Sequence, residues 1–158
     1  NNSDYLIIRP FNTYGPRMAT NGYGQVIPEF IERIKTKEQF FMYGDGNQTR
    51  SFCFIDDLVK GLLEMMNSKT SNETTTPINL GNPNEITMLE LAEKIINITN
   101  SKSKLVFSEL PKDDPFQRKP DINKALNVLE WAPLVNLDEG LKKTINYVKT
   151  INHFKTIN

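Results

Sequence analysis

A tight turn between two apolar runs constrains this chain more than any other stretch. Phe40-Phe41-Met42-Tyr43 leads into Gly44-Asp45-Gly46-Asn47-Gln48-Thr49-Arg50-Ser51, and Phe52-Cys53-Phe54-Ile55 leads out. Glycines on both sides of Asp45 permit positive φ and a sharp reversal. Two readings are open. One is an ordinary hairpin-like connection between two strands. The other is a turn that sets Arg50 at the mouth of a pocket to grip an anion. A guanidinium suits that task because its planar fork matches phosphate oxygens and it does not deprotonate. Asp56 and Asp57 then open a helical pattern through Asn67. It places Leu58, Val59, Leu62, Leu63 and Met66 on one side, with Asp56 as an N-cap contributing about 1 kcal/mol.

With 158 residues the chain has the length of one domain with a real core. Its formal net charge is zero, which argues against a nucleic-acid binder held by a broad basic face. Any anion site must therefore be local. The single cysteine, Cys53, excludes an internal disulfide and reads as a core thiol between two phenylalanines. One cysteine and one histidine, His153, are too few for a zinc site, so no metal is expected. No apolar run is long enough to span a bilayer, and no signal-peptide pattern is present.

Tyr5-Leu6-Ile7-Ile8 reads as a buried strand over residues 5–9. A buried strand needs neighbours on both sides, so the chain is expected to be a piece of a larger protein with further strands upstream. Arg9-Pro10-Phe11-Asn12-Thr13-Tyr14-Gly15-Pro16-Arg17-Met18 follows as a loop at the strand's carboxyl end, where open α/β sheets bind ligands. Asn12 and Thr13 can donate hydrogen bonds there, although Asn12 equally suits a simple turn cap. After the glycine-rich turn Asn21–Gly24, residues Val26, Ile27, Phe30, Ile31 and Ile34 recur at helical spacing, exposing Glu29, Glu32, Arg33 and Lys35.

Beyond the Asp56–Asn67 helix, residues 68–76 read as a polar loop and Pro77–Leu80 as a short strand. Thr87-Met88-Leu89-Glu90 fits a capping box ahead of Leu91, Ala92, Ile95 and Ile96. Leu105–Phe107 is another short strand. The run from Pro111 to Asp121 is irregular, and its Asp113-Asp114 pair is too small a donor set for a cation. A short helix follows Asp121 through Leu129, Trp131 reads as core, and Asn136 caps a last helix whose end, from Lys149, is expected to fray. Asn-x-Ser/Thr matches at Asn1, Asn47, Asn72 and Asn97 are compositional in an asparagine-rich chain. Strands and helices alternate, which is α/β. Arg50 and Arg118 lie on separate loops, and a fold that joined them would clamp a diphosphate.

The order of motifs resembles one family. The 9–18 loop resembles the loop after the sixth strand in extended short-chain dehydrogenases/reductases acting on nucleotide sugars, and Tyr43–Phe52 resembles their nucleotide-sugar loop. Asn79-Leu80-Gly81-Asn82-Pro83, Asp113-Asp114-Pro115, Arg118-Lys119-Pro120-Asp121 and Trp131-Ala132-Pro133 follow in the family's order. The resemblance covers almost the whole chain and is greatest to the UDP-glucuronate decarboxylases.

That resemblance implies a fold: the last part of a Rossmann-type parallel sheet in residues 1–18, then mainly a smaller substrate-binding domain in 19–158, with some elements returning to the first. It implies that Asn12 contacts the sugar nucleotide's phosphate and that Gln25 and Val26 line the uracil and diphosphate. Phe41 and Tyr43 would hold the uracil through their backbone, and Arg50 and Arg118 would grip the diphosphate. Thr13, with Arg17 nearby, would lie beside NAD. The implied reaction converts UDP-glucuronate to UDP-xylose and CO2, with 4-epimerase or 4,6-dehydratase chemistry and a non-catalytic sugar-nucleotide module as alternatives. The family's Gly-x-x-Gly-x-x-Gly loop and Tyr-x-x-x-Lys pair occur nowhere in the sequence. Most of the NAD site and the catalytic base are therefore expected upstream, and this chain alone is expected to be inactive. Tyr23-Gly24-Gln25 stands where decarboxylases commonly carry Asp-Gly-Arg, and Pro10 where isoleucine is common. The resemblance also implies a homodimer of the complete protein, in the cytoplasm, or in the Golgi lumen given a membrane anchor before Asn1.

Overall fold

The computed structural model describes residues 5–18, 26–36, 39–69, 71, 74–109 and 115–155, with backbone only at 34–36, 40 and 152–155. Gln25, the Asn21–Gly24 turn and the Asp113-Asp114 pair lie outside the described residues.

The first elements are β1 (Ile8–Pro10), β2 (Thr13–Tyr14) and α1 (Val26–Thr36). β1 pairs in parallel with β6 (Ile78–Leu80), Ile8 opposite Ile78 and Pro10 opposite Leu80. The amide of Phe11 bonds the carbonyl of Leu80 at 2.9 Å. Bonding residues alternate along a strand, so the nitrogen of Pro10 points away from β6 and its missing N–H costs the ladder nothing. Within this chain Tyr5 and Ile7 are exposed and Ile8 is half-buried. Among the described residues β1 has a neighbour on one side only. The loop after it is not wholly irregular either, because β2 pairs in parallel with β5 (Cys53–Phe54).

The hairpin reading of the central turn is overturned. β3 (Phe40–Tyr43) pairs in parallel with β8 (Leu105–Ser108), while β4 (Thr49–Ser51) is the middle strand of a separate sheet. There it runs antiparallel to β7 (Glu85–Thr87) and parallel to β9 (Gln117–Arg118). The turn thus links two sheets.

Helix α2 (Ile55–Asn67) starts one residue earlier than expected, and Asp56 falls in its first turn instead of at the cap. Its buried stripe is Asp57, Leu58, Gly61 and Met65, whereas Val59, Leu63 and Met66 are exposed. Gly61 explains the choice of face: a Cβ there would stand 2.9 Å from both Leu80 and the Trp131 indole. α3 (Met88–Thr99) carries the expected capping box, with Thr87 Oγ1 accepting from the Glu90 amide at 3.1 Å and Glu90 Oε2 accepting from the Thr87 amide at 2.9 Å. α4 (Asn123–Leu129) and α5 (Leu137–Lys155) complete the order. α5 runs to Lys155, with Ile145 and Val148 packed on the core, and residues 156–158 of the tail expected to fray lie outside the described residues.

Two apolar clusters form the interior. One joins Tyr14 and Phe54 with α1, α3 and α5; the other gathers Cys53, α2, β6, α4 and Trp131. Trp131 is core, as expected, and donates its indole N–H to the Asp57 carbonyl at 2.9 Å. No helix among the described residues is long and apolar enough to cross a membrane.

Candidate functional site: a two-arginine cleft

Partners in a parallel ladder point to the same face of the sheet. Arg50 pairs with Arg118 across β4 and β9, and Thr49 with Gln117. The alternation sorts the sheet into two chemistries. On one side Glu85 Oε1 accepts from Thr49 Oγ1 at 2.7 Å and from Gln117 Nε2 at 2.6 Å, and Lys119 lies 3.3 Å from its other oxygen. These donors, Gln117 foremost, hold the Glu85 carboxyl below its ordinary pKa. Arg50 and Arg118 face the other way, into a cleft of about 620 Å³.

Arg50 is 7 % exposed. Its Nη1 donates to the carbonyls of Thr49 at 2.8 Å and Phe116 at 3.3 Å, which aims the guanidinium. Arg118 is exposed. Glu29 is the one carboxylate among the described residues lining the cleft, so the lining carries a net positive charge in a chain with none overall.

The turn that delivers Arg50 is fastened to the start of α3. The amides of Met88 and Leu89, unsatisfied within their own helix, donate to the carbonyls of Gln48 and Gly46, each at 3.1 Å. Gly46 has φ +79°, and a Cβ on it would meet Leu89 at 3.0 Å, so both backbone conformation and space require glycine. Asp45 accepts from the amide and side chain of Asn47 at 2.9 and 2.7 Å, which lowers its pKa. Gln48, buried, donates its amide to the Tyr43 carbonyl at 2.7 Å.

The strand-tip residues complete the cleft. Asn12, Thr13, Val26, Phe41 and Tyr43 line it together with the two arginines. Asn12 has φ 34°, in the left-handed region that asparagine tolerates better than most residues. The Nδ2 of Asn12 and the Oγ1 of Thr13 are buried without a hydrogen-bond partner. Leaving such a group unsatisfied costs about 1–3 kcal/mol, which a polar ligand at the strand tip would offset. These two atoms therefore fit a polar group of a cofactor or sugar nucleotide. Arg17 does not line the cleft; it is exposed with φ 66°. Gln48 and Glu29 were missed. Gln48 stands two residues before Arg50, and period-2 spacing was the signal that could have found it.

Tyr14 forms cleft floor with its ring set edge-on to Phe52 and Phe54. Burial, then the nearby Cys53 and Asp57, push its phenol well above the usual range. Its hydroxyl donates to the Leu137 carbonyl at 3.4 Å. No cluster of three or more His, Cys, Asp or Glu side chains among the described residues is arranged for a metal. A second groove of about 530 Å³, behind Phe52, holds none of the expected site residues.

A profile of the NAD dependent epimerase/dehydratase family matches residues 1–81, just over half of the chain. The chain belongs to the NAD dependent epimerase/dehydratase family. Among curated members of that family-sized similarity, UDP-glucuronic acid decarboxylase 1 of Xenopus tropicalis is 45% identical over 143 residues, covering 90% of this chain and 33% of its own length. UDP-glucuronic acid decarboxylase 4 of Arabidopsis thaliana is 46% identical over 140 residues, covering 89% of this chain and 30% of its own length. Two solved structures share the fold of this epimerase/dehydratase chain. UDP-glucose 4-epimerase of Thermotoga maritima, solved with UDP-glucose, superposes with a TM-score of 0.87 at 30% identity, covering 94% of this chain and 47% of that one. UDP-glucuronic acid 4-epimerase of Bacillus cereus, in complex with UDP-glucuronic acid and NAD, gives 0.83 at 28% identity, with coverages of 92% and 45%. The fold is accordingly the α/β, Rossmann-type arrangement expected. The chain spans about a third of the length of these curated relatives and under half of these solved structures.

Proposed function

We propose that the chain is the nucleotide-sugar-gripping part of an NAD-dependent UDP-glucuronate decarboxylase. The observation that carries this reading is the pairing of Arg50 with Arg118 on the cleft side of one sheet, apart from the Glu85 face. Two guanidinium groups, that of Arg50 held by the Thr49 and Phe116 carbonyls and that of Arg118 exposed beside it, can bracket a diphosphate with charge-assisted hydrogen bonds. Phe41 and Tyr43 offer an aromatic wall for a pyrimidine, and Asn12 offers its unpartnered amide to a phosphate or hydroxyl oxygen.

The chemistry NAD supplies when bound is reversible hydride removal at C4 of the sugar, leaving a ketone that takes up the electron pair as CO2 departs. Thr13, with its unpartnered hydroxyl at the strand tip, is the residue here that would meet the cofactor. The residues of this chain bind and orient: a sugar tethered through its diphosphate presents C4 in one geometry, which lowers the entropic part of the barrier. Proton transfer is assigned elsewhere in the complete protein, because no Tyr-x-x-x-Lys pair occurs in the sequence and burial pushes the Tyr14 phenol up, which disfavours it as a base. We accordingly propose that the 158 residues alone do not turn over.

A 4-epimerase reading has one observation in its favour, the two epimerase structures described above. The decarboxylase relatives are 45–46% identical, against 28–30% for those epimerases, which favours decarboxylation. The test is to incubate the complete protein, as its source makes it, with NAD and UDP-glucuronate labelled at the carboxyl carbon. Labelled CO2 with UDP-xylose supports the proposal. UDP-galacturonate without CO2 refutes it in favour of epimerisation.

A further inference from the structure

One side chain outside the cleft contacts two that line it. Glu29 and Arg33 sit one turn apart on α1 and form an i,i+4 ion pair. The same guanidinium carbon lies 5.5 Å from the centroid of the Phe41 ring, within cation–π range. Glu29 and Phe41 line the cleft and Arg33 does not. With side chains 27% and 46% exposed, the Arg33–Glu29 pair adds little to folding stability. Its effect on an entering ligand is of another kind. An uncompensated Glu29 would oppose the field of Arg50 and Arg118 and repel a diphosphate, whereas a guanidinium in contact with it cancels that field over a short distance. Phe41 is itself 42% exposed, and the cation over its face favours one orientation of the ring.

We infer that Arg33 is a positioning residue for nucleotide binding, holding the Phe41 ring in the cleft wall and neutralising Glu29 so that an anionic nucleotide is admitted. This deepens the UDP-sugar reading and rests on it. Two signatures separate this role from a merely structural one. The electrostatic part acts on UDP and not on uncharged uridine. It also fades in high salt, where the Debye length contracts to about 3 Å at 1 M.

The experiment is calorimetric titration of the complete protein and its Arg33→Met, Glu29→Gln and double variants with UDP and with uridine, beside a melting curve for each. Arg33→Met should weaken UDP about 5–10-fold at low salt and uridine only about 2-fold, with the melting temperature unchanged. Adding Glu29→Gln should return UDP binding to the smaller, uridine-like deficit, and about 1 M salt should close the same gap. Wild-type affinity for UDP in Arg33→Met would overturn the inference. So would equal losses for UDP and uridine, no recovery in the double variant, or a loss that tracks a lowered melting temperature. Failure of the wild-type protein to bind UDP would instead overturn the functional reading beneath it.

Discussion

Replacing Arg50 with alanine should weaken UDP-sugar binding about 100-fold. The figure follows from the geometry. Arg50 spends Nη1 on the Thr49 and Phe116 carbonyls and stands buried beside Arg118 at the cleft. A hydrogen bond to a charged group is worth about 1.5–3 kcal/mol, and losing a short-range phosphate contact of this kind costs about 3 kcal/mol, two decades of affinity at about 1.4 kcal/mol per decade. Arg118 is exposed, so screening reduces its share, and Arg118→Ala should cost about 5–10-fold. Arg50→Lys keeps the charge and loses the fork, so about a tenth of the affinity should remain. Alanine also strips the Thr49 and Phe116 carbonyls of a partner, lowering stability by about 1–2 kcal/mol. Calorimetric titration of the complete protein with UDP therefore belongs at a temperature where circular dichroism shows each variant folded. The two arginines are register neighbours at one cleft, so losses on a shared ligand should not add. A folded Arg50→Ala protein within threefold of wild-type affinity would refute the reasoning.

Three further outcomes follow from the packing and the titrating groups. A Cβ at residue 140 would lie 2.0 Å from the Tyr14 hydroxyl, so Gly140→Ala should cost about 2–3 kcal/mol in denaturant melts, with part recovered in a Gly140→Ala/Tyr14→Phe double variant; no destabilisation would contradict the tight α5–Tyr14 contact. Because the Glu85 carboxyl is held below its ordinary value, its contribution is present above that value and is lost as pH falls through the depressed one; Glu85→Gln should therefore melt with a shallower loss between about pH 6 and pH 3, and an unchanged slope would dismiss the hub on the back of the sheet. Cys53 is fully buried, and its thiol is pushed up to about 12 by that burial and then by Asp57, so iodoacetamide should label it only as fast as the protein unfolds; rapid labelling of the native state would show the core is open there.

What was legible in the sequence was local. The Thr87–Glu90 capping box, the burial of Ile27, Phe30 and Ile31 on α1 and the Asn136 start of α5, where Asn136 accepts from the Glu139 amide at 2.9 Å, each need only a few consecutive residues; Glu29, read as exposed, is half-buried and lines the cleft. The pairing of β3 with β8 is not local. Nothing in Phe40–Tyr43 distinguishes a partner nine residues on from one sixty-five residues on, and the hairpin expectation failed there. α2 misled for a different reason: its apolar stripe is wider than the face it buries, and Gly61, with no side chain to count, sets which part faces Trp131. Asp57 read as a helix-start acid; its carboxylate in fact accepts from the Val135 amide at 2.9 Å, a tether across the fold. The meeting of Arg50 and Arg118 could be named in advance only through family resemblance, because two residues of β9 in an irregular run carry no periodicity to read.

The most direct test of the central claim is a crystal structure of the complete protein with UDP bound. Both phosphates should lie in the cleft, with Arg50 and Arg118 guanidinium nitrogens within hydrogen-bond distance and the uracil against Phe41 and Tyr43. UDP bound elsewhere, or in the cleft with its phosphates turned away from both arginines, would contradict it.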